Sequence, residues 1–248
     1  MNSLKKLNLI AAGLHFAQGL VVILISKSFA VPLTGTYLKF NSATQHLDPA
    51  TKTLFHFQLP WLIAVFFFLS AGFHLLIATI YNNRYNRNLK LGINKARWLE
   101  YSLSASIMMV AIGLLVGIYD ASSLLMIFAL ISIMNLMGLV MEVHNQTTQK
   151  TNWLSYFIGC WAGLVPWLVV AGYMALGAHE GSRAPTFVYW IFASIFAFFS
   201  CFAINMVLQY KKIGPWRNYL YGERVYIILS LVAKSLLAWQ VFVGTLRP

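Results

Sequence analysis

The stretch ERVYIILSLVAKSLLAWQVFV, residues 223–243, decides the reading of this chain. It is long and apolar enough to cross a bilayer. In its middle stands one charge, Lys234, about ten residues from either end. At ~1.5 Å rise per residue the amine lies near the bilayer midplane, too deep to snorkel easily to either surface. A lysine there costs about 2.5–3.5 kcal/mol even on lenient insertion scales, so it points to function. A desolvated lysine amine is a good nucleophile toward a carbonyl, and imine formation with an aldehyde suits it. The competing reading is a lysine paired with an acid only to specify helix packing.

The rest of the chain agrees with a membrane setting. Of 248 residues, 59% are hydrophobic and only 10% charged, where a soluble domain carries about 25%. The net charge of +12 does not imply a nucleic-acid partner, because the basic residues fall in loops, where membrane topology puts them. The N-terminal MNSLKKLN runs straight into a full apolar span, which reads as a retained anchor. Cys160 and Cys201 fall inside apolar spans and read as core packing residues, neither disulfide nor metal ligand.

Seven spans of about 20 apolar residues are expected, at roughly 7–27, 58–81, 95–119, 122–143, 153–177, 187–209 and 223–244. This makes the chain an all-α membrane protein, one seven-helix domain over 1–248, with membrane lipid as its surroundings. Two loops are longer, 28–57 and 82–94. The first contains VPLTGTYLKF (31–40), which suits a small surface hairpin.

One side of the membrane receives Lys5, Lys6, Arg84, Arg87, Lys90, Lys95, Lys150, Lys211, Lys212 and Arg217. The other receives Lys27, Lys39, Lys52, Arg183 and Arg247, while Arg97 and Arg224 add to the first. The excess places the N-terminus in the cytoplasm, the C-terminus outside, and loop 28–57 outside.

A buried cation needs an anion. The chain has six acids. Asp48, Asp120 and Glu180 fall in external loops or turns, and Glu142 and Glu223 at cytoplasmic span ends. Glu100 remains, on span 3, which runs in the same direction as span 7. It lies six to eight residues deep against about eleven for Lys234, so the two can meet inside the bundle. The alternative is a water-facing Arg97/Glu100 pair at i, i+3 spacing.

Three stretches, RWLEYS (97–102), FAINMVLQYKK (202–212) and YGERVYIILSLVAKSLLAWQVF (221–242), resemble the heliorhodopsins, and the resemblance covers essentially the whole chain. It implies a rhodopsin-like bundle with inverted topology, matching the orientation that the charge count gives independently. It also implies all-trans retinal on Lys234 as a protonated Schiff base, Glu100 as counterion, a homodimer, and light sensing through an unknown cytoplasmic signalling partner rather than enzymatic activity. Some viral members of the family conduct protons, so a light-gated channel or transporter is the alternative.

Ion-pumping relatives carry an Asp four residues before the lysine; here Ser230 stands there. Eleven residues after the counterion, where proton pumps often place a donor acid, stands Ala111. A chain with one acid at the imine is poorly equipped to pump. His15 and His74 fall at similar depth in spans 1 and 2, and Arg97, Tyr101 and Asn135 join them as candidates for a polar, proton-accepting cavity. Alternatively the two histidines are neutral and bonded to backbone, Ser or Asn. No third ligand suggests a metal. A polyene slot is expected from Ser104 and Met108 on span 3, Met134 and Gly138 on span 4, Trp161 on span 5, and Phe196 and Phe199 on span 6, each of which also reads as helix packing. The run GCWAG (159–163) offers a small-residue face for close helix approach. Nothing after span 7 reads as an output domain, so the signal is expected to leave through the basic loops 82–94 and 210–222.

Overall fold

A computed structural model describes residues 2–248. The element order is α1 (Asn2–Ile25), β1 (Ala30–Asn41), β2 (His46–Gln58), α2 (Leu59–Ala78), α3 (Asn82–Lys90), α4 (Lys95–Leu115), α5 (Ala121–His144), α6 (Leu154–His179), α7 (Thr186–Tyr210) and α8 (Tyr219–Val241). A 3-10 turn (Gly214–Arg217) precedes α8, and a π turn (Phe242–Leu246) ends it. All the helices except α3 are long and apolar enough to cross a membrane, seven in number.

The expected spans agree with these helices to within a few residues. Helix ends follow local chemistry. Asp120 caps α5 by accepting from the Ser123 N–H, and Pro60 sits in the first turn of α2, where its missing N–H costs nothing. Loop 28–57 forms the expected hairpin, with Thr34 paired to Thr53 and Asn41 to His46 across antiparallel strands. Loop 82–94 is not all loop: α3 buries Tyr85 and Leu89, one turn apart, and leaves its charges outside.

Helix α4 is the centre of the bundle, packing against α2 and α5. Its buried side chains divide the interior. Toward the C-terminal end of α4 the core is purely apolar, built from Val22, Ile63, Phe66, Met109, Ile112 and Leu237 among others. Toward its N-terminal end the interior is polar and ionic. Among the described residues, the last turns of α1, α4 and α8 and the first turns of α2, α5 and α7 bury no polar side chain. The two cysteines correct an expectation: both are free and exposed. Apolar side chains facing lipid need no core, so apolarity alone does not mark the interior of a membrane protein.

Candidate functional site

Lys234 on α8 and Glu100 on α4 meet across the bundle. The Lys234 Nζ donates to Glu100 Oε1 at 3.0 Å and to the Ser230 hydroxyl at 2.5 Å. Both charged side chains are 4% exposed. Glu100 also accepts from the Ser70 hydroxyl of α2 at 2.6 Å. The Tyr101 ring lies 5.2 Å from the Lys234 nitrogen, and its hydroxyl donates to the Tyr226 carbonyl, which fixes it there. Such dense partnering is what a buried ion pair requires, since stripping one partner costs about 3–5 kcal/mol. Glu100 reaches this depth because α4 begins inside the protein: Asn94, its cap, is itself buried.

The alternative Arg97/Glu100 pair does not form. Arg97 turns to Glu142, at 2.5 Å, and to Glu223. These two glutamates sit at span ends as expected but are 1% and 0% exposed rather than facing water. Asn94, Trp98 and Tyr219 complete the cluster. Polar residues at a helix end look interfacial in sequence, which is why this cluster was not legible there.

His15 and His74 come together, rings stacked with centroids 5.5 Å apart. The tautomer of His74 follows from its neighbour. Asn8 donates its amide to the Leu4 carbonyl, so its oxygen faces His74 Nδ1 at 2.7 Å. That oxygen only accepts, so Nδ1 carries the proton and Nε2 presents a buried lone pair with no hydrogen-bond partner. A cavity of about 20 Å³ is lined by His74, Glu100, Tyr101, Arg97 and Glu223, room for one water.

On its other side Lys234 opens on a second cavity of about 40 Å³, lined by Ser104, Met108, Met134, Asn135, Phe199 and Ser230 among others. Met134, Asn135, Phe199 and Phe202 are shared with a larger apolar cavity of about 310 Å³ between α5, α6 and α7. Trp167, not Trp161, lines it from α6, ringed by Phe192, Phe196 and Phe199 at 5.3–5.4 Å. Trp161 is 66% exposed and points out of the bundle. Residues 161 and 167 are six apart, which turns them about 120° from one another around the helix at ~100° per residue, onto different faces. Gly138 does line the larger cavity, but the room it leaves is filled by Trp98, whose ring lies 2.5 Å from where a Cβ would stand. Gly159 and Gly163 let α6 close on Met134 of α5, as the small-residue run implied. Asn135 donates to its own helix at Ile131, and Gln209 bonds Tyr219 away from the lysine. Among the described residues no cluster of three His, Cys, Asp or Glu forms a metal site. Two adjoining apolar cavities, the nearer one lined by a lysine with one carboxylate beside it, fit retinal.

No curated protein sequence matches the chain. Several solved structures share its fold. A light-driven proton pump from Leptosphaeria maculans superposes with a TM-score of 0.69 at 15% identity, covering 98% of this chain and 94% of its own. Cyanorhodopsin from the cyanobacterium Tolypothrix sp. NIES-4075 gives 0.58 at 14% identity, covering 95% and 92%. At these identities the likeness is one of fold. The heliorhodopsin family model matches residues 4–246, nearly the whole chain. With seven membrane helices around a lysine–carboxylate pair, the chain belongs to the heliorhodopsin family, multi-pass membrane proteins that sense light through retinal.

Proposed function

We propose that this protein is a light sensor that holds all-trans retinal on Lys234 as a protonated Schiff base, with Glu100 as counterion. The observation that carries the reading is the Lys234 Nζ, 3.0 Å from Glu100 Oε1 and at the mouth of an apolar, aromatic slot. When bound, retinal supplies light absorption and a change of shape at the nitrogen. The chain supplies the rest. Glu100 holds the proton at Nζ by its charge, and Ser230 and Ser70 orient the pair. Met108, Met134, Phe196 and Phe199, with Trp167, exclude water along the slot.

The division of the interior argues for sensing over pumping. A pump needs proton-carrying groups on both sides of the nitrogen. Here the buried polar groups lie on the N-terminal side of α4, and the opposite end is filled by apolar side chains. His74, with its free Nε2, and His15 beside it are placed to take or share the proton on that one side. A proton confined there reports light without crossing the membrane, and its slow return sets a slow cycle. The N-terminal end is taken as cytoplasmic on the lysine and arginine count. The hairpin, with Tyr37, Leu38, Phe40 and Leu47 exposed, is the surface assigned to a second copy, and the basic outer face of α3 to a signalling partner.

The test is a visible absorption spectrum of the chain expressed with all-trans retinal, beside Lys234→Ala. A visible band that disappears in the variant is expected. A folded wild-type protein that stays colourless in retinal overturns the reading. Steady photocurrents under light would replace sensing by ion conduction.

A further inference from the structure

Beside the Lys234–Glu100 pair the protein buries a second ionic cluster, and this one does not balance. Arg97 is its cation, and Glu142 and Glu223 are its two carboxylates. The two acids are not equivalent. Glu142 accepts from four donors: Arg97 Nη2 and the Tyr219 hydroxyl on Oε1, the Asn94 N–H and the Trp98 indole N–H on Oε2. Glu223 is met by Arg97 Nη1 and the Asn94 side-chain amide. A carboxylate offers about four acceptor positions. Glu142 is therefore saturated as an anion and Glu223 is half satisfied. Glu223 also lines the 20 Å³ cavity that touches Glu100 and His74, whereas Glu142 does not. A buried negative charge without its own cation is costly. The cluster has a vacancy for one proton, and the vacancy is on Glu223.

We propose that Glu223 is the proton-accepting site: the proton that leaves Lys234 Nζ on illumination comes to rest on its carboxylate. This rests on the function proposed above for Lys234. The N–H bond at Nζ breaks and leaves its electron pair on nitrogen; an O–H bond forms on Glu223, and no other reactant is needed. The route passes Glu100 and the free Nε2 of His74, across a gap with room for one water. Asn8 from α1, Tyr85 from α3 and Tyr101 from α4 also face this cavity, and none of them brings a competing carboxylate. The transfer takes the Arg97 cluster from one excess negative charge to neutrality. Glu223 is fully buried, so the proton stays inside the protein.

Two measurements test this. The first is light-minus-dark infrared spectroscopy of the pigment, trapped after its visible band is lost. A protonated-carboxyl C=O band is expected in the wild type, shifted in Glu223→Asp and absent in Glu223→Gln. A band that persists unchanged in Glu223→Gln, or is missing from the wild type, overturns the proposal. The second uses retinal-free protein and thermal melting. Glu223→Gln should melt at or above the wild type, because it removes the excess charge, and Glu142→Gln several degrees below it. The reverse order overturns the assignment of the vacancy. A wild type with no visible band would instead sink the Lys234 reading, and the melting order would still decide where the excess charge lies.

Discussion

The contact between Lys234 and Glu100 spans 134 residues of sequence and 3.0 Å of space. Its energetic logic is that of any buried pair: each charge is tolerable only because the other is there. Glu100→Gln therefore removes what keeps a proton on the Lys234 nitrogen. The pigment of this variant is expected to lose its visible band at neutral pH in favour of near-ultraviolet absorption, and to regain it on acidification. A band unmoved at neutral pH would mean that another group serves as counterion. The retinal-free variant should also be destabilised by about 3–5 kcal/mol, read by denaturation, because Lys234 is left alone. This pair was legible in the sequence because a charge in the middle of an apolar run needs a buried partner, and Glu100 was the one acid left to supply it. Arg97, Glu142 and Glu223 were not, because each stands within a turn or so of a helix end, where charges ordinarily meet water. The His74 tautomer needed the Asn8 contact, which no spacing reveals.

At the scale of elements, the site is set by how closely α4 and α5 approach. Gly138 is the hinge of that contact, with the Trp98 ring lying against its bare Cα. An added methyl would stand 2.5 Å from the indole, which is too rigid to yield. Gly138→Ala should cost about 1–3 kcal/mol of stability. It should also disturb the Arg97 cluster, since the same indole donates to Glu142 at 2.7 Å. A thermal midpoint equal to that of the wild type would show that the helices shift apart freely. Helix lengths were legible because hydrocarbon thickness imposes them. Helix faces were less so. Lipid accepts apolar side chains as readily as the core does, so Trp161, Cys160 and Cys201 looked interior and are exposed. The short helix α3 was missed because it has one apolar pair, Tyr85 and Leu89, in a run otherwise polar.

For the whole molecule the division between a polar half and an apolar half acquires meaning only with an orientation. The polar half lies at the end where α1 begins, and so do the α5–α6 connection and Lys211 and Lys212 after α7. The hairpin lies at the other end, where the Thr34 N–H donates to the Tyr119 carbonyl beside the start of α5. Lysine and arginine resist translocation, so the basic end should remain in the cytoplasm. The prediction concerns two single-cysteine variants in a background from which Cys160 and Cys201 are removed. Ala43→Cys, in the exposed hairpin turn, should react with a membrane-impermeant maleimide on intact cells. Thr148→Cys, in the connection between α5 and α6, should react only after the cells are opened. The opposite pattern would put the polar half outside. The proposed proton-accepting side would then face the medium, and a partner in the cytoplasm would have to read the apolar end of the bundle. The expected pattern would leave the proposed light-driven charge change within reach of the cytoplasmic surface, where α3 and the α7–α8 connection would present their basic side chains.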